Sequence, residues 1–243
     1  MALPKLSSPQ FITTLPSTGQ EIHYRAFVVR EEKILLMASE SKDPKSVSSA
    51  ILQVLQTCIQ TENVKVDQLP FFDVEYLFLK VRARSVGETT KLSFKHIDGK
   101  NRAGDACLEI TEVSVNLDEV APPQVTKEQH ILSISPTMQM VLRYPTLNEI
   151  LLLTGDQKTS IDPTKIFDLL AGCLMQVIDG DEVFMPDTRR EALQFIESLP
   201  HAMMESLNVF FNNVPTLTTS VTYTCEKCQQ QDTVVLSGMK DFF

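Results

Sequence analysis

The stretch Phe11–Ser41, FITTLPSTGQEIHYRAFVVREEKILLMASES, carries the reading of the fold. Two short runs rich in β-formers, Phe11–Leu15 and Glu21–Phe27, flank Pro16-Ser17-Thr18-Gly19, whose residues favour tight turns, so this part reads as a hairpin. It feeds directly into a helix. Glu31 and Glu32 stand in the first turn, where carboxylates suit the positive end of the helix dipole, and Ile34, Leu35, Leu36, Met37 and Ala38 follow. A strand pair running straight into a helix points to an α+β chain.

Working outward, Asp43-Pro44 opens a second helix, with Asp as N-cap and Pro at the first helical position, where its missing N–H is not needed. Val47, Ala50, Ile51, Val54, Leu55, Cys58 and Ile59 give it a core-facing stripe. Pro70-Phe71-Phe72-Asp73 precedes another helix, Val74 to about Ser85, with Leu77, Phe78 and Val81 on one side. The period then changes. Thr90–Ile97 and Ala106–Leu117 are β-like and flank a turn-rich segment, residues 98–105, predicting a long ribbon with a mobile tip. A shift of inward phase between Ile110 and Val113 suggests a bulge.

Ala121-Pro122-Pro123-Gln124 is the expected joint between two halves, residues 1–121 and 122–243, which can also form one continuous domain. Beyond it, His130–Ile134 and Thr137–Arg143 suggest a shorter hairpin, and Thr146-Leu147-Asn148-Glu149 matches a capping box. Asp162-Pro163 repeats the helix opening, with Ile166, Leu169, Leu170, Cys173, Leu174 and Val177 as its stripe and Asp179-Gly180-Asp181 as its end. Thr188-Arg189-Arg190-Glu191 offers another capping box. Met203, Met204, Leu207, Phe210 and Phe211 form a further helical face, and Thr218 to Phe243 reads as a second ribbon. The expected architecture is a helical core with an N-terminal β-hairpin and two protruding antiparallel β-ribbons.

Composition excludes several function classes. The formal net charge is −9, so a phosphate-neutralising nucleic-acid protein is not expected. The densest basic cluster, Lys80, Arg82 and Arg84, sits at a helix end where cations complement the dipole. No apolar run approaches the roughly 20 residues of a membrane span, and the opening residues lack the apolar core of a signal peptide. Five cysteines, an odd number, suit a reducing compartment and assembly in a cytoplasm. The four histidines share no motif with a serine or cysteine, and 8 glycines leave little material for phosphate-cradling loops. Asp179-Gly180-Asp181-Glu182 lacks the continuing oxygen ligands of a calcium loop. No enzymatic activity and no catalytic residue are expected.

Cys225-Glu226-Lys227-Cys228 is the one motif with metal-ligand spacing. A Cys-x-x-Cys turn between two strands aims both sulfurs at one tetrahedral centre and makes half of a structural zinc site. His96 and Cys107, on the first ribbon, complete the set only if the two ribbons meet; otherwise the motif is a ribbon turn with two reduced thiols. Met203 and Met204 offer an adaptable face for a partner helix. Phe242 and Phe243 need burial, either folded back or inserted into another subunit, and are the other candidate partner-binding residues.

Three collinear blocks resemble the baseplate hub protein family of T4-like tailed phages. They are Leu15–Ser41; Phe72–Glu88 with the ribbon ending Asn116-Leu117-Asp118-Glu119; and Arg143-Tyr144-Pro145-Thr146-Leu147 together with Cys225–Cys228 and Asp241-Phe242-Phe243. The chain departs from the family pattern at Lys95-His96-Ile97-Asp98-Gly99-Lys100, where family members often carry cysteines, and at Gln229, where glycine is usual. The resemblance implies a non-enzymatic hub component or hub assembly factor of a contractile tail, binding other hub and tail proteins and open to self-association, with no nucleic-acid or membrane partner. A transient tail chaperone absent from the virion is the alternative, and a tail-associated lytic enzyme a more distant one. Its expected locations are the host cytoplasm during assembly and the tail baseplate of the virion.

Overall fold

The computed structural model describes residues 8–41, 43–96, 99–125, 130–154 and 163–242. The opening hairpin forms where the turn chemistry requires it, from β1 (Gln10–Thr14) and β2 (Glu21–Arg25). Gly19, at φ +73°, supplies the left-handed residue of the turn. Its N–H donates to the Leu15 carbonyl at 2.9 Å. In α1 (Val29–Ser41), Glu31 does more than face a dipole. Buried at the first turn, its carboxylate accepts from the Val28 N–H at 2.9 Å and from Arg25 and Arg30 at 3.2 and 2.9 Å. In α2 (Pro44–Cys58), Asp43 caps as expected, accepting from the amides of Lys45 and Ser46.

The organising element is α3 (Phe71–Ser85), whose side chains reach three separate cores. Val74, Leu77, Phe78 and Val81 pack with the hairpin residues Leu15, Ile22 and Tyr24 and with the α2 stripe. Phe72 enters the core of the second half. Tyr76, Leu79 and Ala83 face the two ribbons. The stripe visible in the sequence is one face of a helix buried on nearly every side. Such a helix holds neighbours together by apolar burial, at about 1.5–3 kcal/mol per large side chain.

The first ribbon pairs β3 (Thr89–Phe94) with β4 (Thr111–Asn116) in continuous register, so the bulge expected between Ile110 and Val113 is not there. The phase shift has another origin. The chain leaves the ladder before Thr111, with Leu108 and Ile110 exposed at 76% and 61%.

In the second half, α4 (Leu147–Thr154) begins with the expected capping box: the Thr146 N–H donates to Glu149 at 2.9 Å, and the Glu149 N–H returns to the Thr146 hydroxyl at 3.4 Å. The next helix, α5 (Pro163–Cys173), is shorter than its apolar stripe suggested. Asp162, the expected cap, lies outside the described residues. Leu174 and Val177 belong instead to β7 (Leu174–Asp179), which turns through Gly180-Asp181 into β8 (Glu182–Phe184). Leu174 and Val177 also fit helical spacing, but the β-branched pair Val177-Ile178 and Gly180 at φ +58° fit a two-residue hairpin better. With β5 (Ile131–Ser133) and β6 (Met138–Leu142) these strands form an antiparallel sheet of order β5-β6-β7-β8, bulged at Val141/Leu142.

Two helices, α6 (Arg189–Glu197) and α7 (Met203–Asn212), cover that sheet, with Thr188 capping α6 through the Glu191 N–H at 3.2 Å. The second ribbon, β9 (Thr218–Thr224) and β10 (Gln231–Ser237), ends in a 3₁₀ turn, Met239–Phe242. It lies against the first: the Phe94 and Tyr223 rings stack at 5.2 Å, and Leu217, Leu236 and Phe242 share a core with Val115 and Leu117. The class is α+β, as the sequence predicts, with the two ribbons in contact. Among the described residues, no helix is long and apolar enough to cross a membrane.

Candidate metal centre

The site is built where the two ribbon ends meet. After Phe94 the first ribbon stops pairing as a ladder and folds a compact tip. There the Cys107 N–H donates to the Gly99 carbonyl at 2.8 Å, and the Asp105 N–H to the Asn101 side chain at 2.8 Å. The tip is tied to the second ribbon by Arg102. Its backbone N–H donates to the Gln230 side-chain oxygen at 2.6 Å, and its guanidinium to the Gln231 carbonyl at 3.1 Å and Asp232 at 3.3 Å. Ile97 and Asp98 lie outside the described residues.

On the opposing side, β9 and β10 are joined by the turn Cys225–Gln230. The Cys225 N–H donates to the Gln230 carbonyl and the Gln229 N–H to the Cys225 carbonyl, both at 2.9 Å. Gln229 stands where glycine is usual and adopts the glycine conformation, φ +58°. Its side-chain amide donates to the Glu226 carbonyl at 2.7 Å. The departure from the family pattern therefore leaves the knuckle intact, at a left-handed cost of about 1–2 kcal/mol.

Four ligand-type atoms converge between these turns. The imidazole of His96 and the sulfurs of Cys107, Cys225 and Cys228 all lie within 4.8 Å of one another. His96 Nε2 is 3.2 Å from the Cys228 sulfur, and the Cys107 and Cys225 sulfurs are 3.8 Å apart. His96, Cys107 and Cys225 are buried and Cys228 is partly so. The sulfurs are too far apart for a disulfide, whose S–S bond is about 2.05 Å, and all four groups are free thiols or imidazole.

A second layer orients the first. His96 Nδ1 is 2.9 Å from Asp232 Oδ2, and a carboxylate only accepts, so Nδ1 carries a proton and Nε2 is the ring nitrogen turned to the sulfurs. Asp232 is itself held by the Gln230 amide at 2.8 and 2.9 Å and by Arg102. The backbone N–H of Cys228 and then that of Lys227, with the His96 ring, bring the Cys225 thiol down to about 6. The Cys225 sulfur, followed by Asp232, holds the His96 pKa above its ordinary value. The arrangement favours the thiolate at Cys225, the form in which cysteine binds metal. At Cys228 the Gln230 N–H lowers the pKa, but burial and the neighbouring Cys225 and Cys107 sulfurs outweigh it and hold the thiol above its ordinary value.

His96 and Cys107 thus stand beside Cys225 and Cys228, because the ribbons meet. Asp232, Gln230 and Arg102 carried no signal in the sequence: their partners lie about 130 residues away and follow no motif spacing. The candidate partner-binding residues fall elsewhere. Met203 is buried in the second core and Met204 packs half-buried against it. Phe242 is folded back and fully buried against Leu79, Leu117 and Leu236, so its apolar surface is used within the chain. Phe243 lies outside the described residues.

Fold and site together define an α+β protein with helices around α3 and two β-ribbons meeting at a buried Cys₃His cluster. Residues 8–243 match the family described as T4 bacteriophage base plate protein, and the chain belongs to that family. It is a phage baseplate protein. Comparison with curated proteins and with solved structures returns no match.

Proposed function

We propose that the chain is a non-enzymatic protein of the central baseplate hub, acting by protein–protein binding either as a hub component or as the factor that assembles it. The carrying observation is that the family match runs through every described element, so the fold as a whole belongs to the baseplate. Three of the perturbed carboxylates are engaged in holding the fold: Asp73 holds the hairpin turn, Glu31 the start of α1, and Glu149 the start of α4. Uncovered apolar side chains gather on α1, where Val29, Leu36 and Met37 are 79%, 60% and 62% exposed. Beside them runs a groove of about 440 Å³ lined by Phe27, Leu35, Leu36, Val47, Ile51 and Phe78. Uncovered apolar patches of this kind mark protein contacts, and the outer edges of two-stranded ribbons add backbone groups for strand pairing.

The test is quantitative mass spectrometry of purified particles alongside cross-linked infected-cell lysate. A fixed ratio to hub proteins in particles identifies a component. Absence from particles, with cross-links to hub proteins in lysate, identifies an assembly factor. Cross-links confined to proteins outside the hub, or peptidoglycan hydrolysis by the purified chain, would overturn the reading.

A further inference from the structure

We propose that His96 Nε2 and the sulfurs of Cys107, Cys225 and Cys228 bind one structural zinc ion that clasps the two ribbons together. The donors come from turns on different ribbons, 118 and 132 positions apart in the chain for the pairs in contact, yet they converge to a cluster no wider than 4.8 Å. A tetrahedral zinc site with Zn–S near 2.3 Å and Zn–N near 2.05 Å has edges of about 3.8 Å between sulfurs and about 3.6 Å from sulfur to nitrogen. The observed 3.8 and 3.2 Å contacts are close to those edges. Three soft thiolates and one imidazole, with every position supplied by the protein and little exposure to water, form the donor set of a closed zinc site.

The surroundings carry the argument further. Asp232 accepts from Nδ1 of His96, as an outer carboxylate does for a zinc-bound histidine, and leaves Nε2 as the ligand atom. The unusual left-handed Gln229 preserves the turn that aims Cys225 and Cys228 at one point. The first ribbon abandons its ladder before Thr111, and that departure carries Cys107 to Cys225. All three cysteines bind as thiolates, so the thiol protons still present leave to solvent, while His96 keeps its Nδ1 proton. The resulting centre has one net negative charge, and Arg102, paired with Asp232, lies alongside.

The experiment uses the full chain, without a metal-affinity tag, purified under reducing conditions from zinc-supplemented culture. Elemental analysis should give one zinc per chain, and replacement by Co²⁺ should give thiolate-to-cobalt charge-transfer absorption with tetrahedral ligand-field bands. Asp232→Asn, which keeps the four ligands, should weaken zinc about 10–100-fold in chelator competition. Cys225→Ser should lower the bound zinc at least tenfold, whereas Cys173→Ser, remote from the cluster, should retain it. If Cys225→Ser does not fold, the wild-type cobalt spectrum and Asp232→Asn decide. A natively folded wild-type chain that stays metal-free after exposure to zinc overturns the proposal. So does full zinc retention by a folded Cys225→Ser chain.

Discussion

Asp73 and Glu31 are both buried carboxylates, and their environments drive them in opposite directions. Burial pushes Asp73 up to about 6, and the two bonds from Ser17, which favour the charged form, recover only part of that. For Glu31 burial also raises the pKa, but the Val28 N–H and the Arg30 and Arg25 side chains outweigh it and bring the group down to about 2. The two groups therefore act on stability with opposite signs. Asp73 binds its proton more tightly when folded, so its contribution is full below about 3.8 and is lost as pH rises through about 6. Glu31 contributes above about 4.5 and loses that contribution as pH falls toward 2. Urea unfolding across this range should show Asp73→Asn more stable than wild type at pH 7.5, by about 1–3 kcal/mol, and indifferent at pH 3.5. Glu31→Gln should be weaker at pH 7.5 by about 1.5–3 kcal/mol, with a flattened acid limb. At this scale Cys225 and Cys228 were legible because their spacing is local. The roles of Asp73 and Asp232 were not, since each depends on a partner brought in from a distant turn.

Elements were legible wherever their ends carry their own chemistry. Asp43-Pro44, Thr146 with Glu149, and Thr188 with Glu191 announce helix starts in the sequence, and the side-chain bonds they promise are present. The boundary between α5 and β7 was not legible, because Leu174 and Val177, three apart, fit a helical stripe; both are buried in β7 because its pairing with β6 shifts register between them, which no local spacing announces. The same limit applies to the 3₁₀ turn Met239–Phe242, whose aromatic could have served the chain or a partner. With Phe242 fully enclosed in the ribbon core, Phe242→Ala should cost about 3–5 kcal/mol in urea unfolding. A loss below about 1 kcal/mol would mean that the ring is not held there.

For the molecule as a whole, the decisive feature is that one helix serves three cores. Neither half can lose its packing without uncovering a face of α3, so unfolding should be a single transition. Far-UV circular dichroism and tyrosine fluorescence, usable because the chain has no tryptophan, should give coincident urea curves. Two separated midpoints would show that the halves unfold independently. The α+β class and the family were legible from collinear blocks along the chain. The meeting of the ribbons was not, because no local period encodes which of two distant ribbons packs on the other.

The contact between ribbon ends also sets a timetable for synthesis. Cys107 and Cys225 are 118 positions apart, so at about 5–20 residues per second Cys107 is made roughly 6–24 s before its neighbour exists. Meanwhile the hairpin, α2 and α3 already have nearly all the partners of the first core, while the ribbon face of α3 waits for Leu217, Leu236 and Phe242. The nascent protein thus matures from its amino-terminal side, and translation of its last ribbon is the event that seals it.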